Sequence, residues 1–392
     1  MKKLFIYLII IPILFSLNVS ARDFDLGVGS AILVSADSRQ VLYSSNAEQK
    51  YPPASLAKIM TLLVTIEKIE QKQISLEDYV VIGENAEAMG GSQIYLSAGS
   101  KVKLRDLLKA ISISSANDAS VAVAEYVAGT EDSFVELMNT KAKNLGMKNT
   151  HFANSSGLPA EYEEQYTTAA DVVLMAKELI KYPRILEWTS TWVDYLDLPS
   201  HRAMLVNTNE LVKRGYINGL KTGYLQEAGY SLAATASQDG KRLISVVLEA
   251  PNGDKRESAT LSLLDYGFNN FKSKLVVEAG EKVHNIEIRN GEHNYFTAQA
   301  EKDLRRLILY GEPLEEKIKI NNDIKAPIEK GEVIGKRIIK QEDFKVGEVN
   351  LIASHKVEKA GIFTLLWRKW VNFVGENIVK RLNENIEEQI ES

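Results

Sequence analysis

The stretch YPPASLAKIMTLLVTIEKIE, residues 51–70, decides how the rest of the chain is read. Pro52 and Pro53 interrupt the segment before them, because proline fixes φ and lacks a backbone donor. A helical period comes next, with apolar residues at Leu56, Ile59, Met60, Leu63 and Ile66 on one face. At its head stand Ser55 and Lys58, three apart and so on a shared face. An ordinary lysine, with a pKa of ~10.4, holds its proton at neutral pH. Desolvation or a neighbouring cation lowers that value and turns the amine into a base for the serine. The helix start also presents free N–H groups where an oxyanion can form. Alone, S-x-x-K is a weak signal, better explained by a capping serine followed by a solvated lysine.

Two polar groupings downstream change the balance. SSANDAS, residues 114–120, joins two helix patterns within LRDLLKAISISSANDASVAVAEYVAG and offers Ser115 and Asn117. By itself such a joint is ordinary capping and turn formation. Further on, LKTGYL places Lys221, Thr222 and Gly223 in a strand pattern, where glycine marks a bulge or a close backbone approach.

Around these groupings, GSAILVSADSRQVLYSSN reads as two strands turning at Asp37-Ser38-Arg39, and GSQIYLSAGSKV as loop and short strand. EDSFVELMNTKAKNLGM and TTAADVVLMAKELIKYP read as helices, the second stopped by Pro183. INGLKTG, AGYSLAATASQD and GKRLISVVLEAP read as strands, the last two a hairpin, and RESATLSLLDYGFNNF as a closing helix. From residue 271 to 358 short alternating runs punctuated by Gly and Asn read as a small all-β domain.

The ends are different. MKKLFIYLIIIPILFSLNVSA, residues 1–21, has the layout of a secretory signal peptide. Without Lys2 and Lys3 the formal net charge of −5 becomes −7, which excludes a general nucleic-acid binder. The chain has no cysteine, so disulfides and thiolate chemistry are excluded, and export without disulfides suits a bacterial periplasm or cell surface. The five histidines, His151, His201, His284, His293 and His355, lack a metal-ligand spacing. Residues 359–392 form an amphipathic helix pattern. Phe363, Trp367, Trp370, Val371, Val374, Ile378 and Leu382 share one face, with Lys369, Asn372, Glu376, Lys380 and Asn383 opposite. That pattern suits a membrane surface or, alternatively, a helix packed on its own domain or on a partner, and it is too polar to span a bilayer.

S-x-x-K, S-x-N and K-T-G in this order form the signature of β-lactamases and penicillin-binding proteins. PPASLAKIMT, SSANDASVAVAEYVAG, MNTKAKNLGMKNTHFANSSGL and INGLKTGYLQEAGYSLAATA further resemble the low-molecular-mass penicillin-binding proteins that are D-alanyl-D-alanine carboxypeptidases. The resemblance is dense over about 30–270 and looser beyond. It implies an α+β fold: a β-lactamase/transpeptidase-like catalytic domain at 22–270 with an antiparallel sheet flanked by helices. The small β domain and the C-terminal helix come after it. It implies no metal and no cofactor, and a peptidoglycan stem peptide ending in D-Ala-D-Ala as substrate. β-Lactams would be covalent inhibitors. The implied place is the outer face of the cytoplasmic membrane.

Residue by residue, the resemblance makes Ser55 the nucleophile and Lys58 its base. Ser115 would pass the proton to the leaving D-alanine, and Asn117 would hold the substrate amide and Lys58. Lys221 would keep Lys58 neutral and attract the substrate carboxylate, with Thr222 hydrogen-bonding it. Gly223 completes the K-T-G strand beside the substrate, and the N–H groups of Ser55 and Tyr224 would form the oxyanion hole. Arg256 would assist carboxylate binding. The family continues K-T-G with a threonine two residues on, where this chain has Leu225. A missing hydrogen bond to a charged group is worth roughly 1.5–3 kcal/mol, about one to two factors of ten. The alternatives are a serine β-lactamase using Glu161, Glu163 or Glu164, and a non-catalytic wall-binding protein.

Overall fold

The computed structural model describes residues 25–38, 40–160, 164–321, 323–341 and 344–391. The leader at 1–21, Arg39, Glu161 and Glu163 therefore lie outside the described residues.

Five antiparallel strands form the main sheet in the order Val41–Ser45, Ser30–Ser35, Lys241–Ala250, Gly229–Gln238, Ile217–Leu225. Neighbouring residues of a strand face opposite sides, and here both sides are covered. Ile32 and Val34 enter the larger core while Ala31 and Leu33 enter the second one. Helix Gly253–Asn270 packs on the second face. A helical layer covers the first, centred on helix Ala57–Glu70 and ringed by Leu104–Ser114, Asn117–Ala128, Glu131–Leu145 and Ala169–Leu179. Every residue from Ala57 to Ile66 is buried, so this helix has no solvent face over its first turns. The strand carrying Lys221-Thr222-Gly223 is the edge of the sheet and lies against the start of that helix.

Two readings need correction, and one element is not read at all. Ser55 is not in the α-helix: it sits in a 3-10 turn, Ala54–Leu56, and the α-helix starts at Ala57. Helix Ala169–Leu179 ends before Pro183, which instead opens a further helix, Pro183–Ser190. There the missing N–H is no loss. A short hairpin, Val193–Asp197 with Arg202–Val206, also goes unread in the sequence.

From Phe271 onward the chain is all β until the last helix. Phe271–Val277 pairs with Leu304–Leu309. A five-stranded sheet runs in the order Lys282–Glu287, Tyr295–Ala300, Phe344–Ala353, Val333–Gln341, Glu315–Ile320. The Gln40 side chain joins the two halves, its Nε2 donating to the Leu307 carbonyl at 2.6 Å and its Oε1 accepting from the Leu307 N–H at 3.1 Å. The last helix, Ile362–Glu391, is held at its start by Arg368, which donates to the Gly291 and Glu292 carbonyls at 2.7 and 2.6 Å. Phe363, Trp367, Trp370, Val371 and Ile378 are exposed on it, as is Lys369, and Val374 is half-buried. The side chains of Asn372, Glu376, Lys380, Leu382 and Asn383 lie outside those described. Among the described residues no helix is long and apolar enough to cross a membrane.

Candidate active site

Two glycines let the chain close on Ser55 from two sides. Gly157 has φ +81, and a Cβ there would stand 1.8 Å from the Ala54 carbonyl oxygen. Gly223 lies flat on the same turn, where a Cβ would come 3.2 Å from the Ala54 Cβ and 3.4 Å from the Pro53 carbonyl oxygen. Ala54 itself has φ +48, a left-handed conformation that costs a non-glycine residue energy and persists only where the surroundings hold it.

Lys58 is completely buried. Its Nζ lies 3.1 Å from Ser55 Oγ, 2.7 Å from Asn117 Oδ1 and 2.7 Å from the Ser156 carbonyl oxygen. Burial holds its pKa well below the ordinary lysine value, and the Lys221 charge pushes the same way, while Asp118 opposes both. A charged lysine would donate to all three oxygens. A neutral amine has two N–H groups, which the Asn117 and Ser156 oxygens accept. Its lone pair is then turned to the Ser55 hydroxyl.

Ser115 ends helix Leu104–Ser114 in a left-handed turn, φ +63, and is buried beside the start of the next helix. That turn carries the chain into Asn117, whose backbone N–H donates to the Ser92 carbonyl and whose Nδ2 donates to the Gly90 carbonyl, both at 2.7 Å. The buried Asp118 carboxylate accepts from the N–H groups of Ile94, Leu96 and Ala119. Burial raises its pKa and those N–H groups oppose the rise. The loop around 90–96 is thus fastened to the helix start that presents Asn117.

Lys221 is also buried, with Nζ donating to the Thr222 carbonyl at 3.0 Å. Burial, and secondarily the Arg256 charge, bring its pKa down to about 7. Arg256 stands in the first turn of helix Gly253–Asn270, where its Nη2 meets Glu257 at 3.1 Å and its buried Nε has no hydrogen-bond partner. Thr222 Oγ1 donates to Thr208 Oγ1 at 2.6 Å. Tyr224 is exposed and its ring stands 4.4 Å from that of Tyr230. Leu225, half-buried opposite Gly229, brings no hydroxyl. Among the described residues no group of three His, Asp or Glu could hold a metal.

The structure therefore brings Lys58 into direct contact with both Ser55 and Asn117 and sets Lys221 within electrostatic reach of Lys58, while Arg256 acts in turn on Lys221. Sequence reasoning missed the Ser156 carbonyl. The signal for it was the run Asn154-Ser155-Ser156-Gly157, an Asx turn before glycine. Asn154 Oδ1 accepts from the Ser156 and Gly157 N–H groups at 3.2 and 2.7 Å.

The comparisons with known proteins point to one family. A sequence model described as D-alanyl-D-alanine carboxypeptidase matches residues 17–252, and one described as the penicillin-binding protein 5 C-terminal domain matches 271–359. The D-alanyl-D-alanine carboxypeptidase DacF of Bacillus subtilis is 37% identical over 352 residues, 88% of this chain and 90% of that protein. The crystal structure of penicillin-binding protein 5 from Haemophilus influenzae superposes with a TM-score of 0.75 at 29% identity, covering 86% of this chain and 99% of that one. Penicillin-binding protein D2 of Listeria monocytogenes, solved with ampicillin bound, gives 0.57 at 32% identity, covering 63% and 99%. With family matches on both sides of residue 270 and a relative 37% identical along most of its length, the chain belongs to the D-alanyl-D-alanine carboxypeptidase family.

Proposed function

We propose that the Ser55–Lys58 pair carries out the family's reaction, removal of the terminal D-alanine from a peptidoglycan stem peptide ending in D-Ala-D-Ala. Ser55 Oγ attacks the penultimate carbonyl carbon as Lys58 takes its proton. The carbon–nitrogen bond breaks, D-alanine leaves with a proton relayed through Ser115, and water then hydrolyses the ester on Ser55. Asn117 holds the substrate amide. Lys221, Thr222 and Arg256 hold the terminal carboxylate along the Gly223 strand, and the N–H groups of Ser55 and Tyr224 receive the oxyanion. β-Lactams enter the same path and stop at the ester.

The observation that carries this reading is the Lys58 environment, completely buried and facing three oxygens, one of them Ser55 Oγ. A solvated lysine after a capping serine would have none of that. Full-length protein given a D-Ala-D-Ala peptide is expected to release D-alanine, and Ser55→Ala to release none. Release that persists in Ser55→Ala would remove Ser55 from the reaction. No release from either, with no penicillin bound at Ser55, would leave the wall-binding reading, which Leu225 motivates. Glu164, the described member of the three glutamates, is exposed and gives no support to a β-lactamase.

We also propose the division 22–270, 271–358 and 359–392, with an exported protein resting on the outer face of the cytoplasmic membrane through its last helix. The support is the exposure of Phe363, Trp367 and Trp370, at 84%, 63% and 56%, which leaves their rings free to enter a bilayer surface. Burying one such ring is worth about 1.5–3 kcal/mol. Replacing Trp367 and Trp370 together by serine is expected to cut co-sedimentation with phosphatidylglycerol vesicles more than tenfold. Unchanged sedimentation would end the membrane reading.

A further inference from the structure

We propose that Thr61 and Glu131 are positioning residues that clamp Ser155 and so hold the Ser156 carbonyl against the Lys58 amine. The inference rests on the reading of Lys58 as the base and names what keeps that base aimed.

Ser155 is used up on all sides. Its carbonyl accepts from Thr61 Oγ1 at 2.6 Å, and its N–H and hydroxyl both donate to Glu131 Oε1, at 2.9 and 2.6 Å. Thr61 is buried and stands three residues after Lys58, so one helix face grips two successive carbonyls of this loop. Glu131 opens helix Glu131–Leu145 and approaches from the other side. The next residue, Ser156, is fixed by Asn154, and its carbonyl is left for Lys58 Nζ. The neutral amine can aim its lone pair at Ser55 only while both of its N–H groups are taken. Asn117 takes one, and the clamped Ser156 carbonyl takes the other.

The clamp also has a sign in pH. A carbonyl that accepts from Lys58 favours the charged amine, so its withdrawal lowers the Lys58 pKa further. The other charged groups acting on Lys58 are Lys221 from the edge strand, which lowers it, and Asp118 from helix Asn117–Ala128, which raises it. Arg256 acts on Lys221, and Glu131 reaches the site through Ser155. None of these changes when Thr61 loses its hydroxyl.

The test is the rate at which penicillin acylates full-length protein, followed against pH for wild type, Thr61→Val, Thr61→Ser and Glu131→Gln. Thr61→Val keeps the shape and removes the donor. It is expected to acylate about tenfold more slowly, the worth of one hydrogen bond, with the acid limb moved to lower pH. Thr61→Ser is expected to restore both, and Glu131→Gln to show a smaller change in the same direction. Equal rates in Thr61→Val and wild type would overturn the proposal, as would a slower rate with the limb unmoved or moved to higher pH. Should Thr61→Val not fold, Glu131→Gln carries the same two readouts. Wild type that takes no penicillin at Ser55 would instead overturn the reading of the site itself.

Discussion

Methionine in place of Lys58 is expected to slow acylation of Ser55 by penicillin about a thousandfold, within the range of a lost general base, while the protein still melts cooperatively near the wild-type temperature. The two effects separate because the amine is there for chemistry. Taking an amine out of water costs several kcal/mol if it is charged, and methionine, unbranched and of similar length, avoids that cost. Against this, the Asn117 and Ser156 oxygens lose their donor, at roughly 1–3 kcal/mol each. The terms oppose each other, so stability changes little and the rate changes greatly. Penicillin labelling followed by mass spectrometry, beside a thermal melt, checks both. Acylation within tenfold of wild type would remove Lys58 as the base.

Alanine in place of Gly157 is expected to destabilise the protein by about 2–4 kcal/mol, through left-handed strain and overpacking together. It should also depress acylation. The added Cβ would meet the Ala54 carbonyl oxygen at 1.8 Å, and neither backbone has a flexible end to give way. Relief requires the loop or the Ala54–Leu56 turn to move, and that turn carries Ser55. A melt combined with the acylation rate distinguishes the outcomes. A variant as stable and as fast as wild type would show that the loop does not press on the nucleophile's turn.

The side chains that meet in the cleft were readable because each has its own letter at a fixed spacing. Ser55 and Lys58 stand one turn apart, Ser115 and Asn117 flank one residue of a joint, and Lys221 lies in a strand pattern. The groups that aim them were not. The Ser156 and Gly90 carbonyls are backbone atoms, which any residue supplies, and only the folded path shows which ones face Lys58 and Asn117. Thr61 lay in plain view within an apolar run, where a threonine reads as tolerated core. The strands of the main sheet were legible from their Val, Ile, Leu and Ala content. Pro183 misled because proline ends one helix and begins another equally well, and only the residues after it decide between the two. The Val193–Asp197 hairpin was missed because its half-exposed alternation is interrupted by charged residues.

The two joints along the molecule have a mechanical meaning. Gln40 grips both polar groups of Leu307, and Arg368 grips the Gly291 and Glu292 carbonyls, so neither junction is a free swivel. Were the last helix to rest on a bilayer, as we propose, such a molecule would be a ruler rather than a tethered blade: it would trim peptides at one height above the surface, and strands of the wall nearer or farther would escape it.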